Sequence, residues 1–88
     1  MIFEKIKLNK FTLKNRVVVS PMCQYSAKNG SPSNWHFAHL LKLIKSGTSM
    51  LMLESAAVNK NGKITHADLC LSNNLQKKNF KKLVDFLK

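Results

Sequence analysis

Arg16-Val17-Val18-Val19-Ser20-Pro21-Met22-Cys23 is the stretch on which the fold turns. Three β-branched residues in a row, with no polar residue among them, have the pattern of a strand buried on both faces, as in a parallel sheet. A strand is therefore predicted over residues 16–20, and Pro21 ends it because proline has no N–H to give to a ladder. The following loop, residues 22–34, holds the tight-turn pair Asn29-Gly30 and Pro32.

A helix is predicted from near Trp35, with Ser33 or Asn34 as its cap. Phe37, Leu40, Leu41 and Ile44 make its i, i+3, i+4, i+7 stripe, and Lys45 followed by Gly47 is a stop signal. Ser49 to Glu54 reads Ser-Met-Leu-Met-Leu-Glu, a second short apolar run in which Met50 and Met52 are expected to fill core space. Strand, helix, strand in that order calls for parallel strands joined by a right-handed crossover. After a turn-rich segment over 59–62, a second helix is predicted from Asn73 or Asn74 to the end. Phe80, Leu83, Val84 and Leu87 lie on one face of it, with Lys77, Lys78, Lys81 and Lys82 off that face. The pattern stops at Lys88 inside a helix and reads as cut. Two strands and two helices do not close a sheet, whereas an eight-stranded α/β barrel needs about 250 residues.

Composition narrows the class. A chain of 88 residues allows one small domain, and 44% hydrophobic with 22% charged residues is the make-up of a folded piece rather than a disordered tail. The net charge of +11 rests on lysine, Arg16 being the sole arginine. Lysines are point charges without the bidentate fork that reads phosphates and guanine edges, so the charge argues more for solvated faces than for a nucleic-acid partner. Cys23 and Cys70 are far apart in sequence and form no C-x-x-C pair, which fits a reducing cytoplasm without disulfide or zinc. Met1 to Lys10 lacks the apolar run of a signal peptide and no stretch is long enough to span a bilayer, so no membrane role is expected.

The chemistry is concentrated in Ser20-Pro21-Met22-Cys23-Gln24-Tyr25-Ser26, where the first strand exits into its loop. Ligands and reacting groups gather at the carboxyl ends of parallel strands. There the strand fixes backbone amides and carbonyls, Pro21 stiffens the exit, and the Cys23 thiol and Tyr25 phenol stand two residues apart, which makes a cofactor shelf. His36 and His39, three apart on a helix, find no defined third ligand and are expected to be structural, with no metal site. Glu54 is a single carboxylate and is expected to pair with backbone or lysine rather than act as a base. Trp35 and Phe37 are expected to anchor the first helix to the sheet.

These residues resemble the Old Yellow Enzyme family, particularly its bacterial thermophilic-type branch. The match takes in Leu13-Lys14-Asn15-Arg16, Ser20-Pro21-Met22-Cys23, Tyr25, the histidines after Trp35, Glu54, Ala57-Val58-Asn59, Gly62 and Ile64-Thr65, in order and over nearly the whole chain. The resemblance implies that residues 1–88 are the N-terminal part of an FMN-binding (β/α)8 TIM barrel, about two strand–helix units and incomplete. It also implies hydride transfer from NADH or NADPH through FMN to a small-molecule activated alkene, in an enzyme that is a homo-oligomer when whole. By resemblance, Ser20, Pro21, Met22 and Cys23 line the flavin, with Cys23 tuning its potential. Tyr25 donates a hydrogen bond to the substrate carbonyl, and Ser55, where the branch usually has alanine, keeps a backbone contact. The family's flavin-contacting glutamine, substrate-gripping histidine pair and phosphate loops have no match here, so these residues taken alone are expected to be inactive. The alternative is a small basic module for nucleic acid or another acidic partner.

Overall fold

The computed structural model describes residues 1–88. The chain runs β1 (Ile6–Leu8), β2 (Phe11–Leu13), β3 (Val18–Val19), α1 (Asn34–Lys45), β4 (Met50–Leu51), β5 (Ala56–Ala57), a 3-10 turn (Lys60–Gly62), β6 (Leu69–Cys70) and α2 (Asn74–Leu87). The β-branched run pairs as its pattern predicts. β3 and β4 are parallel, with Val18 opposite Met50 and Val19 opposite Leu51, and α1 makes the crossover. Ser49 N–H donates to Val17 O and Met52 N–H to Val19 O, both at 3.0 Å, so the ladder continues past both formal strand ends.

A polar clasp fixes the register of this pair at its amino end. Asn15 Nδ2 donates to Gly47 O at 2.8 Å while Asn15 Oδ1 accepts from Val17 N–H at 2.9 Å. Thr48 Oγ1 donates to Val17 O at 2.8 Å, and Ser49 Oγ donates to Asn15 O at 2.9 Å. Asn15 and Thr48 are both buried. Buried polar groups satisfied in this way specify one arrangement, because any slip strands them without partners.

The turn predicted at Asn29-Gly30 is a two-residue hairpin loop. Both residues have positive φ, 50° and 79°, and Lys28 and Ser31 exchange N–H···O bonds of 3.0 and 2.9 Å. Gly30 also meets α2 closely. A Cβ there would fall 2.3 Å from Gln76 Nε2 and 2.7 Å from Cys70 Cβ. Its carbonyl accepts from Cys70 N–H at 2.8 Å, and Gln76 Nε2 donates to Asn29 O at 3.0 Å, so this turn ties the first unit to the second.

Three expectations change. Val18 is 43% and Met52 49% exposed, so neither is enclosed, because these elements leave part of the β3–β4 surface without a covering layer. Val84 is 37% exposed, and Phe86, outside the predicted stripe, meets Phe37 of α1 edge to face with ring centroids 5.1 Å apart. Two pairings were not predicted: the antiparallel hairpin β1–β2 around Asn9, whose φ is 54°, and the short parallel pair β5–β6. The radius of gyration is 14.3 Å, against about 12 Å for a compact domain of this length. An open groove of about 360 Å³ is lined by Ile44, Met50, Leu51 and Leu53 together with Val84 and Leu87 of α2.

Asp68 organises the approach to β6. Its carboxylate accepts from Thr65 Oγ1 at 2.7 Å, Thr65 N–H at 3.0 Å and Ile64 N–H at 2.7 Å. The Thr65 hydroxyl, then the two amides and nearby Lys63, hold this carboxyl below the usual carboxylate range. A depressed folded-state pKa contributes stability above the unfolded pKa of about 3.9 that is lost as pH falls through the folded value. Urea midpoints measured on either side of that acid range should therefore fall with pH more steeply in the natural protein than in Asp68→Asn. Gly30→Ala should lower stability by about 1–3 kcal/mol, since it adds both a steric clash and an unfavourable positive φ. Unchanged urea midpoints would contradict the close approach of Gly30 to α2.

Candidate functional site

Because β3 and β4 are parallel, Ser20 and the residues from Met52 to Ser55 leave the sheet at the same end. Val19, Ser20, Met22, Gln24, Met52 and Glu54 line one small cleft there together with His39, Leu40 and Leu43 of α1. Of the predicted residues, Ser20 and Met22 line that cleft; Pro21, Cys23 and Tyr25 follow on the same chain exit from β3, and Ser55 follows Glu54 on the exit from β4, so the two exits form two lips at one end of the sheet. Ser20, Pro21, Met22, Cys23, Tyr25 and Ser55 are all exposed, and the Cys23 thiol is free.

The N–H groups of Met22, Cys23, Gln24 and Tyr25 on the first lip, and of Glu54 and Ser55 on the second, donate to no main-chain acceptor. A row of unclaimed donors at a strand end can bind the polar rim of a planar ligand. Tyr25 has φ 52° and is 58% exposed. For a bulky side chain the left-handed region costs about 1–2 kcal/mol, the kind of local strain that collects at ligand-facing positions.

Behind the lips stands the first turn of α1. Ser33 N–H donates to His36 Nδ1 at 3.0 Å, so an imidazole occupies the place that Glu or Gln holds in a capping box. With Nδ1 accepting, the neutral ring carries its proton on Nε2. His36 Nε2 lies 3.4 Å from Glu54 Oε2 without hydrogen-bond geometry, and both side chains are buried. Trp35 is half-exposed and does not enter the sheet as expected. It stacks on His39 with centroids 5.4 Å apart, and its Nε1–H donates to Gln24 Oε1 at 3.0 Å. Gln24 Nε2 in turn donates to Met22 O at 2.9 Å. Sequence reasoning missed Gln24 as a linking residue. Its position between Met22 and Tyr25 was visible, whereas the indole partner eleven residues away was not.

A parallel strand pair joined by a helix, with open amides, a thiol and a phenol beyond its carboxyl end, is a strand–helix–strand unit of an α/β protein. The profile of the NADH:flavin oxidoreductase / NADH oxidase family matches residues 1–88, and the chain belongs to that family. It is 46% identical over 88 residues to an NADPH dehydrogenase of Listeria monocytogenes serotype 4b, covering 98% of this chain and 26% of the relative. The structure superposes on the old yellow enzyme from Trypanosoma cruzi with a TM-score of 0.85 at 18% identity, over 98% of this chain and 23% of that one. It superposes on morphinone reductase in complex with tetrahydroNAD with a TM-score of 0.85 at 14% identity, again over 98% and 23%. At such identities the two superpositions establish the fold, a portion of a TIM barrel without closure. The chain spans about a quarter of the length of the curated relatives it matches. The basic-module alternative draws no support from these likenesses.

Tyr25→Gly should leave stability unchanged to within about 1 kcal/mol, since relief of the left-handed strain offsets glycine's larger entropy loss on folding. A larger fall in the urea midpoint would mean that the ring is held by packing rather than displayed.

Proposed function

We propose that residues 1–88 are the N-terminal part of an FMN-binding barrel domain whose whole enzyme moves hydride from NADH or NADPH through FMN to a small-molecule activated alkene. The observation that carries this reading is the double lip of unclaimed amides at the carboxyl end of β3 and β4, in a chain of this family. The residues present fit one part of the group. Backbone donors of Met22, Cys23 and Ser55 suit the polar rim of the flavin ring, whereas residues 20–27 and 52–58 contain no basic side chain for its phosphate. The groove beside Met50 and Leu51 supports the barrel as well, since it offers an apolar wall for a further strand–helix unit.

FMN, when bound, supplies the hydride chemistry, and the protein supplies orientation and electrostatics. Ser20, Pro21 and Met22 would hold the ring chiefly through backbone, Cys23 would tune its potential, and Ser55 would add an amide from the second lip. The Tyr25 hydroxyl would donate to the carbonyl oxygen of an activated alkene, where negative charge develops on reduction. A cytoplasmic setting and a homo-oligomeric whole enzyme belong to the same reading. No helix of the chain is long and apolar enough to cross a membrane.

The test is a chimera in which these 88 residues replace the matching stretch of the Listeria NADPH dehydrogenase. It should retain FMN and oxidise NADPH, and Tyr25→Phe within it should lower kcat on an activated alkene on the order of a hundredfold while FMN stays bound. A folded chimera that leaves FMN in the filtrate would overturn the proposal.

A further inference from the structure

The polar contacts in the first turn of α1 exceed what capping the helix requires. His36 is wholly buried, and its Nδ1 already closes the cap by accepting from Ser33 N–H. A glutamine would serve that purpose, as it does in ordinary capping boxes. The imidazole instead reaches past the cap and brings Nε2 within 3.4 Å of Glu54 Oε2. That Nε2 is the one buried side-chain polar atom of the chain without a hydrogen-bond partner. A buried donor left facing a carboxylate at this distance is costly unless small movements close the bond, which makes the contact sensitive to the position of the β4 exit.

The neighbouring residue makes a separate connection. Trp35 Nε1–H donates to Gln24 Oε1 at 3.0 Å, and Gln24 Nε2 donates to Met22 O at 2.9 Å. One helical turn therefore touches both lips, the β3 lip through Trp35 and Gln24, and the β4 lip through His36 and Glu54.

We propose that the first turn of α1 is a positioning bracket for the ligand shelf. Trp35, through Gln24, sets the lip at Met22–Tyr25, and His36, against Glu54, sets the lip at Glu54–Ser55. In this role the four side chains are positioning residues that hold the spacing between two rows of backbone donors. The inference rests on reading those rows as the flavin shelf, but it is tested without flavin.

The test uses the ¹⁵N-labelled 88-residue chain and two variants that keep the helix. Trp35→Phe removes the indole donor and keeps an aromatic ring, though a smaller one, for the stack on His39, and His36→Gln retains a capping-box residue. The bracket requires selective shifts. Trp35→Phe should move the Met22–Tyr25 amide resonances beyond their line width and leave Ser55 in place, and His36→Gln should do the reverse, with α1 helicity by circular dichroism unchanged in both. If His36→Gln does not fold, Glu54→Ala against Glu54→Gln decides at the same lip. The alanine should shift the Ser55 amide, and the glutamine, which keeps an oxygen facing Nε2–H, should restore it. Shifts confined to α1, shifts spread evenly over the chain, or equal effects of the two Glu54 variants would overturn the bracket. These signals are read without flavin, so loss of FMN by the chimera and failure of the bracket remain separate results.

Discussion

Parallel pairing of β3 with β4 is the constraint on which the rest of the structure depends. Parallel strands cannot be joined by a tight turn, so the chain between them must travel the length of the sheet and return, and α1 is the return path. The pairing is short, two residues by formal assignment with a hydrogen bond added at each end. So short a ladder does not set its own register. Asn15, Thr48 and Ser49 set it by meeting the carbonyls of Gly47, Val17 and Asn15 from side chains that would be stranded by a slip.

The same pairing makes the site. It sends two consecutive chain exits to one end of the sheet, and both exits run without main-chain partners for several residues. The polar clasp lies at the opposite end, so register is held away from the place where amides are left open. Two costly features lie on the open side, Tyr25 in the left-handed region and His36 Nε2 buried without a bond. Stability comes from elsewhere, from Leu69, Cys70 and Leu83 in the second unit and from the Gly30 turn packed on Gln76.

What could be read from the sequence was what depends on local pattern. The β-branched triplet, the stripe from Phe37 to Ile44, the Asn29-Gly30 turn and the start of α2 at Asn74 all follow from spacing and turn chemistry. The hairpin around Asn9 was also written locally, as Ile6-Lys7-Leu8 and Phe11-Thr12-Leu13 in alternation, and the lysines obscured it. The size of Trp35 suggests burial against the sheet, whereas its partners are a glutamine in another loop and the next histidine on its own face. The exposure of Val18 and Met52 was not legible either, since burial depends on elements outside the local pattern. Ser20 to Cys23 lie just beyond a strand end, as the proline stop implies, but the links behind them, Gln24 with Trp35 and His36 with Glu54, exist only through tertiary contact.

The most direct measurement is an FMN titration of the ¹⁵N-labelled chain, followed by amide resonances. A lysine-rich chain of net charge +11 will attract any phosphate, so the location of the shifts matters more than their presence. A flavin shelf requires that they centre on Met22 to Tyr25 and on Glu54 and Ser55. Shifts confined to the lysine face of α2 around Lys77, Lys78, Lys81 and Lys82, with both lips unmoved, would contradict it.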